Sequence, residues 1–278
     1  MPPKLEIPSA EPVLASGRRT ETSEIYQASV IKIIRHMKQH LQDPLDLERL
    51  AQIASISKFH FVRVFDEVTG TTPHHFVACL RMQRAKELLL ETADPITDIC
   101  LEVGYTSLGS FSKSFTFLVG MSPVAFRGIP KRLDSMRFGQ IVWRFLSARK
   151  KEPGPQLTGI LEGPSRPRGF TFVGTFTRGV PQGIPYSGTV VLGRGKFQVK
   201  RPDMDEFHLM AVLVPFSAKL KQMVTHLPVG LVASLRVQNY RPSQAPPRLR
   251  LRPLSPIDPP IVLALPSLPP LASIGDWS

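Results

Sequence analysis

Between Ile25 and Leu41 the apolar residues Val30, Ile33, Ile34, Met37 and Leu41 fall on one helical face, and Asp43-Pro44 stops the run. Asp46 is placed to cap a short helix bearing Leu47, Leu50, Ala51 and Ile53. After a tight turn at Ala54-Ser55-Ile56, Ser57 is placed to cap a helix whose inward face carries Phe61, Val64, Phe65 and Val68. Lys58, Phe59, Val62, Arg63 and Asp66 are left on its other side. Gly70 supplies the C-terminal stop. Thr72-Pro73, a capping hydroxyl followed by proline at the first helical position, opens a longer helix through Phe76, Leu80, Ala85 and Leu88. Asp94-Pro95 repeats that start signal, and Ile96, Ile99, Cys100 and Val103 form another short amphipathic helix. Gly104-Tyr105-Thr106 is a second turn, after which Ser107 caps a helix with Phe111, Ser114, Phe115 and Leu118 inward. Leu108, Gly109, Ser112, Lys113 and Thr116 face outward, Gly120 ends the helix, and Ser122-Pro123 starts a last turn through Phe126 and Arg127.

The pattern is thus written twice. Ser57, Phe61, Phe65, Gly70, Pro73 and Phe76 are answered by Ser107, Phe111, Phe115, Gly120, Pro123 and Phe126, fifty residues later. An internal repeat of this period implies one supersecondary unit used twice. Here the unit is short helix, tight turn, second short helix, which is the helix-turn-helix arrangement. Its mechanics suit DNA: the first helix braces, and the second offers its N-terminal outer face to the major groove. Two such units on one connecting helix could enter successive grooves about 34 Å apart, so that a single chain reads an asymmetric site.

Beyond Arg132 the helical period is lost. Met136 to Leu146 is mixed, and Arg149 to Pro155 reads as a basic linker. From Gly169 the signals are those of strands: Phe170, Phe172, Gly174 and Phe176 alternate with Thr171, Val173 and Thr175, and Thr189–Leu192, Lys196–Lys200, Phe207–Val214, Ser234–Val237, Leu249–Leu254 and Ile261–Leu265 follow, separated by Gly- or Pro-bearing turns. About seven short strands suggest a small sandwich or partly open barrel. The chain therefore divides into a flexible tail at 1–23, a double helix-turn-helix domain at 24–131, a basic linker at 132–168 and a β-rich region with a Pro-rich tail at 169–278. The expected fold class is multidomain α and β, with an all-α, homeodomain-like double helix-turn-helix domain followed by a small all-β sandwich-like domain.

Charge refines the picture. The formal net charge of +13 points to a polyanionic partner, but residues 24–132 hold 13 Lys+Arg against 11 Asp+Glu. Residues 133–278 hold 19 against 8. The helical half must therefore owe any nucleic-acid affinity to where its basic residues point, while the second half is suited to non-specific phosphate attraction or to solubility. Cys79 and Cys100 sit at apolar helical positions, as in a reduced intracellular protein. Met1 to Pro12 lacks the apolar core of a signal peptide, and Ile261–Leu265 is stopped by Pro266, far short of the ~20 residues a membrane span requires. His60, His74 and His75 have no cysteines or acids at ligand spacing, so no metal and no cofactor is expected. Asp203, Asp205, Glu206 and His208 are a compact polar group, best read as a turn before the buried strand Leu209–Val214, and nothing looks catalytic.

The helical half resembles the DNA-binding domain of the AraC/XylS family of bacterial transcription regulators. The resemblance is carried by Leu47–Ala51, Ser57–Phe65, Arg81–Leu89, Ile96–Cys100, Val103-Gly104-Tyr105, Phe111–Phe115, Gly120–Pro123 and Phe126-Arg127, in that order. It implies that the outer face of each second helix contacts bases. The base readers would be Phe59, Val62 and Arg63 in the first unit and Leu108, Gly109, Ser112 and Lys113 in the second. Phe59, Val62 and Leu108 can touch a thymine methyl but donate no hydrogen bond. Arg63 is therefore expected to make the strongest base contact, bidentate to guanine and worth ~1–3 kcal/mol of discrimination, with Lys113 a less directional second. Ser57, Lys58, Thr71 and Ser107 are candidate phosphate contacts, since helix N-termini favour anions.

The expected function is a cytoplasmic, nucleoid-associated transcription regulator that binds double-stranded DNA and performs no catalysis. The family usually places a sensor domain ahead of its DNA-binding domain; here the second domain follows it. That second domain is open to sensing a small-molecule effector, self-association or touching RNA polymerase. Two alternatives stand beside this reading: a non-specific architectural DNA-binding protein, and a ligand-binding β-module, enzymatic or carbohydrate-binding, for which the helical half is only a targeting domain.

Overall fold

The computed structural model describes residues 13–129, 154–163, 169–217 and 231–262, with side chains from residue 24 onward. Seven helices occupy the first part: α1 Val13–Gln39, α2 Leu47–Ile53, α3 Lys58–Thr69, α4 Pro73–Glu91, α5 Ile96–Glu102, α6 Leu108–Val119 and α7 Pro123–Arg127. Helix α1 begins at Val13, inside the stretch read as a flexible tail; that segment shows no apolar stripe but contains no proline to prevent a helix. Four hydroxyl residues and one aspartate make the expected caps. Asp46, Ser57, Thr72, Ser107 and Ser122 each accept a hydrogen bond from the backbone N–H three residues on. Gly70 and Gly120 end the two second helices in the left-handed region, at φ 73° and 95°, where a side chain would be strained. At Asp94-Pro95 the cap is not made: α5 starts at Ile96 with Pro95 in the cap position and no side-chain bond. The Asp94 carbonyl instead accepts from Arg127 at 2.6 Å, and its N–H bonds Thr92 Oγ1.

The repeat is offset by one residue between its two halves. Helices α2 and α5 are related by a shift of 49, whereas α3 and α6, like α4 and α7, are related by 50. The extra residue lies in the second turn. In both turns a left-handed residue, Ser55 at φ 57° and Gly104 at φ 84°, precedes a backbone bond that spans five residues, Ile56 to Ala51 and Tyr105 to Cys100. The phenylalanines then fill matching places. Phe61, Phe65 and Phe76 pack edge to face with ring centroids 5.6 and 5.4 Å apart; in the second unit Phe111 and Phe115 are tilted at 5.8 Å and Phe115 meets Phe126 edge to face at 5.5 Å. All six are at most 1% exposed.

The two units meet across α4. Arg81 donates to the carbonyls of Leu41 and Asp43, both at 3.0 Å, while its guanidinium lies 5.7 Å from the Tyr105 ring of the second turn. A Cβ on Gly104 would stand 2.3 Å from the Leu41 oxygen, so glycine is required there by close approach as well as by φ. Lys86, also on α4, is fully buried with its ammonium 5.8 Å from the Phe126 ring, and burial pushes its pKa down to about 8.

The second part contains β1 Gln156–Glu162, β2 Gly169–Phe176, β3 Ser187–Leu192, β4 Gly195–Lys200, β5 Glu206–Pro215, β6 Leu231–Gln238 and β7 Arg248–Arg250. They form two sheets, of order β4-β1-β7 and β3-β2-β5-β6, antiparallel except for the β1–β7 pair. Strand β1 corrects the boundary at 169, since it lies in the stretch read as linker. Its burial alternates through Leu157, Gly159 and Leu161, a signal too short to stand out among its prolines and basic neighbours. Leu249–Leu254 shortens to β7 plus one bridge, Val232 to Arg252; Ile261 and Val262 form no strand, and residues 263–265 lie outside the described residues, as do 130–153.

Between the sheets lies a core that includes Leu157, Leu161, Val173, Phe197, Val199, Phe207 and Leu209. The other face of the larger sheet is not solvated. Phe176, Val190, Met210 and Val214 join one apolar cluster with Phe111, Phe115 and Leu118 of the second helical unit. Strand β5 is therefore covered on both faces, which is why Leu209–Val214 reads as an unbroken apolar run rather than an alternation. Polar groups finish this junction: His75 on α4 bonds Gln182, and His208 on β5 is half-buried beside Gly179.

Replacing Phe65 or Phe115 by alanine removes a fully buried ring, and each substitution should cost about 3–5 kcal/mol in a urea unfolding curve. Burial lowers the pKa of His75 and of His208 below 6.5, so the unfolded chain takes up protons on these imidazoles before the folded chain does. Stability should accordingly fall as the pH drops from about 7 to about 5.5, and His208→Gln should flatten part of that slope in thermal scans.

Candidate nucleic-acid interface

Helix α3 buries Phe61, Val64 and Phe65, which leaves its opposite face outward among the described residues, β-strands included. Phe59 is 87% exposed at its first turn, an unusual position for an aromatic ring with nothing to cover it. Arg63 is exposed one turn on, and Val62 is half-buried between them. Arginine has only donors, so the 3.1 Å contact of Arg63 Nη2 with His60 Nδ1 makes Nδ1 an acceptor and leaves the neutral ring's proton on Nε2. That nitrogen lies 3.1 Å from Tyr26 Oη on α1. The chain Tyr26–His60–Arg63 thus fixes the direction of the guanidinium. In the sequence the only trace of this contact is the place of His60 three residues before Arg63.

Lys58, at the start of α3, forms an ion pair with Glu48 of α2, and that ammonium holds the Glu48 carboxyl below its ordinary range. Both side chains are exposed, so the pair is worth little and the lysine can be drawn to a phosphate without large loss. Ser57 and Ser107 spend their hydroxyl oxygens on His60 N–H and Ser110 N–H, the capping role that each shares with any phosphate contact. Thr71 is different. It is 8% exposed and its N–H and carbonyl are both bound to Thr69 Oγ1, so the structure places it inside the turn after α3 rather than on an anion-facing surface.

On α6, Leu108 is 43% exposed, Gly109 and Lys113 are exposed and Ser112 is half-buried. All seven base-reader candidates therefore lie on outer faces. The first unit presents an aromatic ring and an oriented guanidinium; the second presents mainly small or apolar groups and one ammonium. Burial pushes the Cys79 thiol up to about 12 and raises that of Cys100, which keeps both as thiols near neutral pH. Among the described residues no group of three or more His, Cys, Asp or Glu could hold a metal ion, and no helix is long and apolar enough to cross a membrane.

A cavity lies beside this surface. A cleft of about 950 Å³ opens between the turn after α3, the β2–β3 loop and strands β5 and β6, with His75, His208, Arg236 and Met210 among its lining. Its charges are mostly paired: Arg236 grips Glu206 through two 2.8 Å bonds, and Arg252 binds Asp258 at 2.5 and 2.7 Å. Glu206, read as part of a turn, is the first residue of β5 and serves this pairing.

A family profile described as a helix-turn-helix domain matches residues 50–129. Among curated proteins, the chain is 29% identical over 107 residues to the probable transcriptional regulator LumQ of Photobacterium leiognathi, covering 38% of this chain and 43% of that one. It is 37% identical over 92 residues to the MmsAB operon regulatory protein of Pseudomonas aeruginosa, covering 33% and 30%. The chain thus spans less than half the length of these relatives. Among solved structures, it is similar to the C-terminal domain of AraT, a response regulator from Geobacillus stearothermophilus, with 30% identity, 36% of this chain and 84% of that one covered, and a TM-score of 0.36. It is also similar to the DNA-binding domain of AdpA solved in complex with a target DNA, with 25% identity, 38% and 97% covered, and a TM-score of 0.37.

Proposed function

Since residues 50–129 form a helix-turn-helix domain of the AraC type, the DNA-binding domain of bacterial transcription regulators, we propose that this chain regulates transcription by inserting α3 and α6 into successive major grooves of one duplex. The supporting observation is that the outer faces of both helices are open among the described residues while their inner faces are locked by matching phenylalanine triads. Sequence preference comes chiefly from the first unit. Arg63, aimed by His60, donates two hydrogen bonds to a guanine edge, and Phe59 packs on a thymine methyl. Lys113, Lys58 and the cap serines hold phosphates and set the register. The action is binding rather than catalysis, and the compartment is the cytoplasm.

The β-rich region is regulatory. Its cleft against the first unit has room for a small organic molecule, and its junction with the second unit gives such a ligand a mechanical connection to the DNA-binding face. Contact with RNA polymerase and self-association are further roles for its outer surface.

Arg63→Ala should weaken binding to a duplex selected from a random pool by ~1–3 kcal/mol more than it weakens binding to random duplex, whereas Lys58→Ala should weaken both alike. Equal losses on both duplexes for Arg63→Ala would refute its assigned role. Affinity of the whole chain should also fall as salt rises, because each phosphate contact releases counterions; an affinity indifferent to salt would exclude DNA as the ligand.

A further inference from the structure

The loop between β2 and β3, residues 177–186, runs between the two helix-turn-helix units and touches the C-terminal ends of α3 and α6. At the first unit, Gly179 lies so close to the Gly70 carbonyl, at the α3 cap, that an added Cβ would stand 2.5 Å from that oxygen. Gln182 then bonds His75 on the first turn of α4. At the second unit, the Gly183 N–H donates to the Leu118 carbonyl in the last turn of α6 at 2.6 Å, and a Cβ there would stand 2.8 Å from the Phe117 oxygen. Gly183 has φ 60°, so the close approach and the backbone conformation both call for glycine. Arg178 lies 5.7 Å from the Phe117 ring, and Val180, 1% exposed, is inserted into the cluster that holds Phe111, Phe115 and Leu118.

We propose that this loop is a clamp that fixes the separation and relative rotation of α3 and α6, so that the β-rich region determines which spacing between the two half-sites the chain accepts. The part concerning DNA rests on the function proposed above. Apart from the loop, the units are joined by α4, which packs against both α3 and α6, and by Arg81, which ties the turn after α1 to the second turn. The loop adds a tie at the C-terminal ends of α3 and α6. One inserted base pair moves a half-site by about 3.4 Å and turns it by about a tenth of a helical turn, a mismatch that a fixed pair of helices cannot follow. Two of the clamp's contacts are glycine carbonyl approaches with no side chain between, so they transmit a displacement of the β-sheet directly to the helix ends. Gly179, Gln182 and Gly183 are positioning residues in this arrangement and need touch no DNA.

The test uses the full chain with probes on Gln52→Cys and Thr97→Cys, exposed sites on α2 and α5; Cys79 and Cys100 are buried and stay unlabelled. Pulsed dipolar spectroscopy should give one narrow distance in the wild type. In Gly179→Ala, which wedges the loop away from α3, the distance should shift or broaden; Gln182→Ala, a milder change that leaves the backbone approaches intact, should do so less. In parallel, duplexes selected by the wild-type chain are remade with one base pair inserted between the half-sites. Wild type should prefer the selected spacing by about tenfold or more, the scale of one mismatched base pair, and Gly179→Ala should lose most of that preference. An unchanged distance in Gly179→Ala overturns the clamp, as does full retention of the spacing preference or a wild type indifferent to the insertion. If the wild type binds no duplex at all, it is the DNA reading that fails, and the distance measurement alone still decides whether the clamp exists.

Discussion

Close packing of three buried phenylalanine rings, made once in each helical unit, is the constraint from which the remaining geometry follows. Phe61 and Phe65 stand one helical turn apart on α3 and close on Phe76 at the start of α4; Phe111, Phe115 and Phe126 repeat this on α6 and α7. A ring fixed at the first and second turns of a helix fixes the rotation of that helix about its axis. Once those rings are inside, Phe59 and Arg63 have no place but outside, and so do Gly109 and Lys113. The buried and the exposed faces of α3 and of α6 are therefore one decision, made by the positions of the aromatic side chains.

Much of this was legible in the sequence because helices announce themselves locally. The hydroxyl-to-glycine frame around α3 and α6 marks both ends, and the caps at Ser57, Ser107, Thr72 and Ser122 are made as their spacing implies. The strands were harder. Strand β1 alternates over only seven residues and finds its partners at β4 and at β7, nearly ninety residues on, so nothing within its own window identifies it. Strand β5 carries no alternation because the helical domain covers the face that would otherwise be wet. Thr71 looked like a hydroxyl beside a helix start, and only the packing of the turn shows it bound to Thr69. The placement of Arg63 by His60 and Tyr26 joins residues 34 apart in sequence and could not be read from either stretch alone.

The junction between the two parts changes what the molecule can do. A β-module tethered by a linker would be free of the helices, whereas this one shares a core with the second unit through Phe176, Val180 and Val214. A shared apolar core is close-packed and transmits displacement. The second unit's aromatic triad thus lies between the outer face of α6 on one side and the sheet on the other, and Lys86, whose pKa burial lowers to about 8, lies against Phe126 in the same region.

The central claim, that one chain lays α3 and α6 into neighbouring grooves, is tested most directly by hydroxyl-radical footprinting of the whole chain on a duplex selected from a random pool. The account predicts two protected patches on one face of the helix, about 10 base pairs apart. A single patch, or uniform protection with no favoured face, would contradict it.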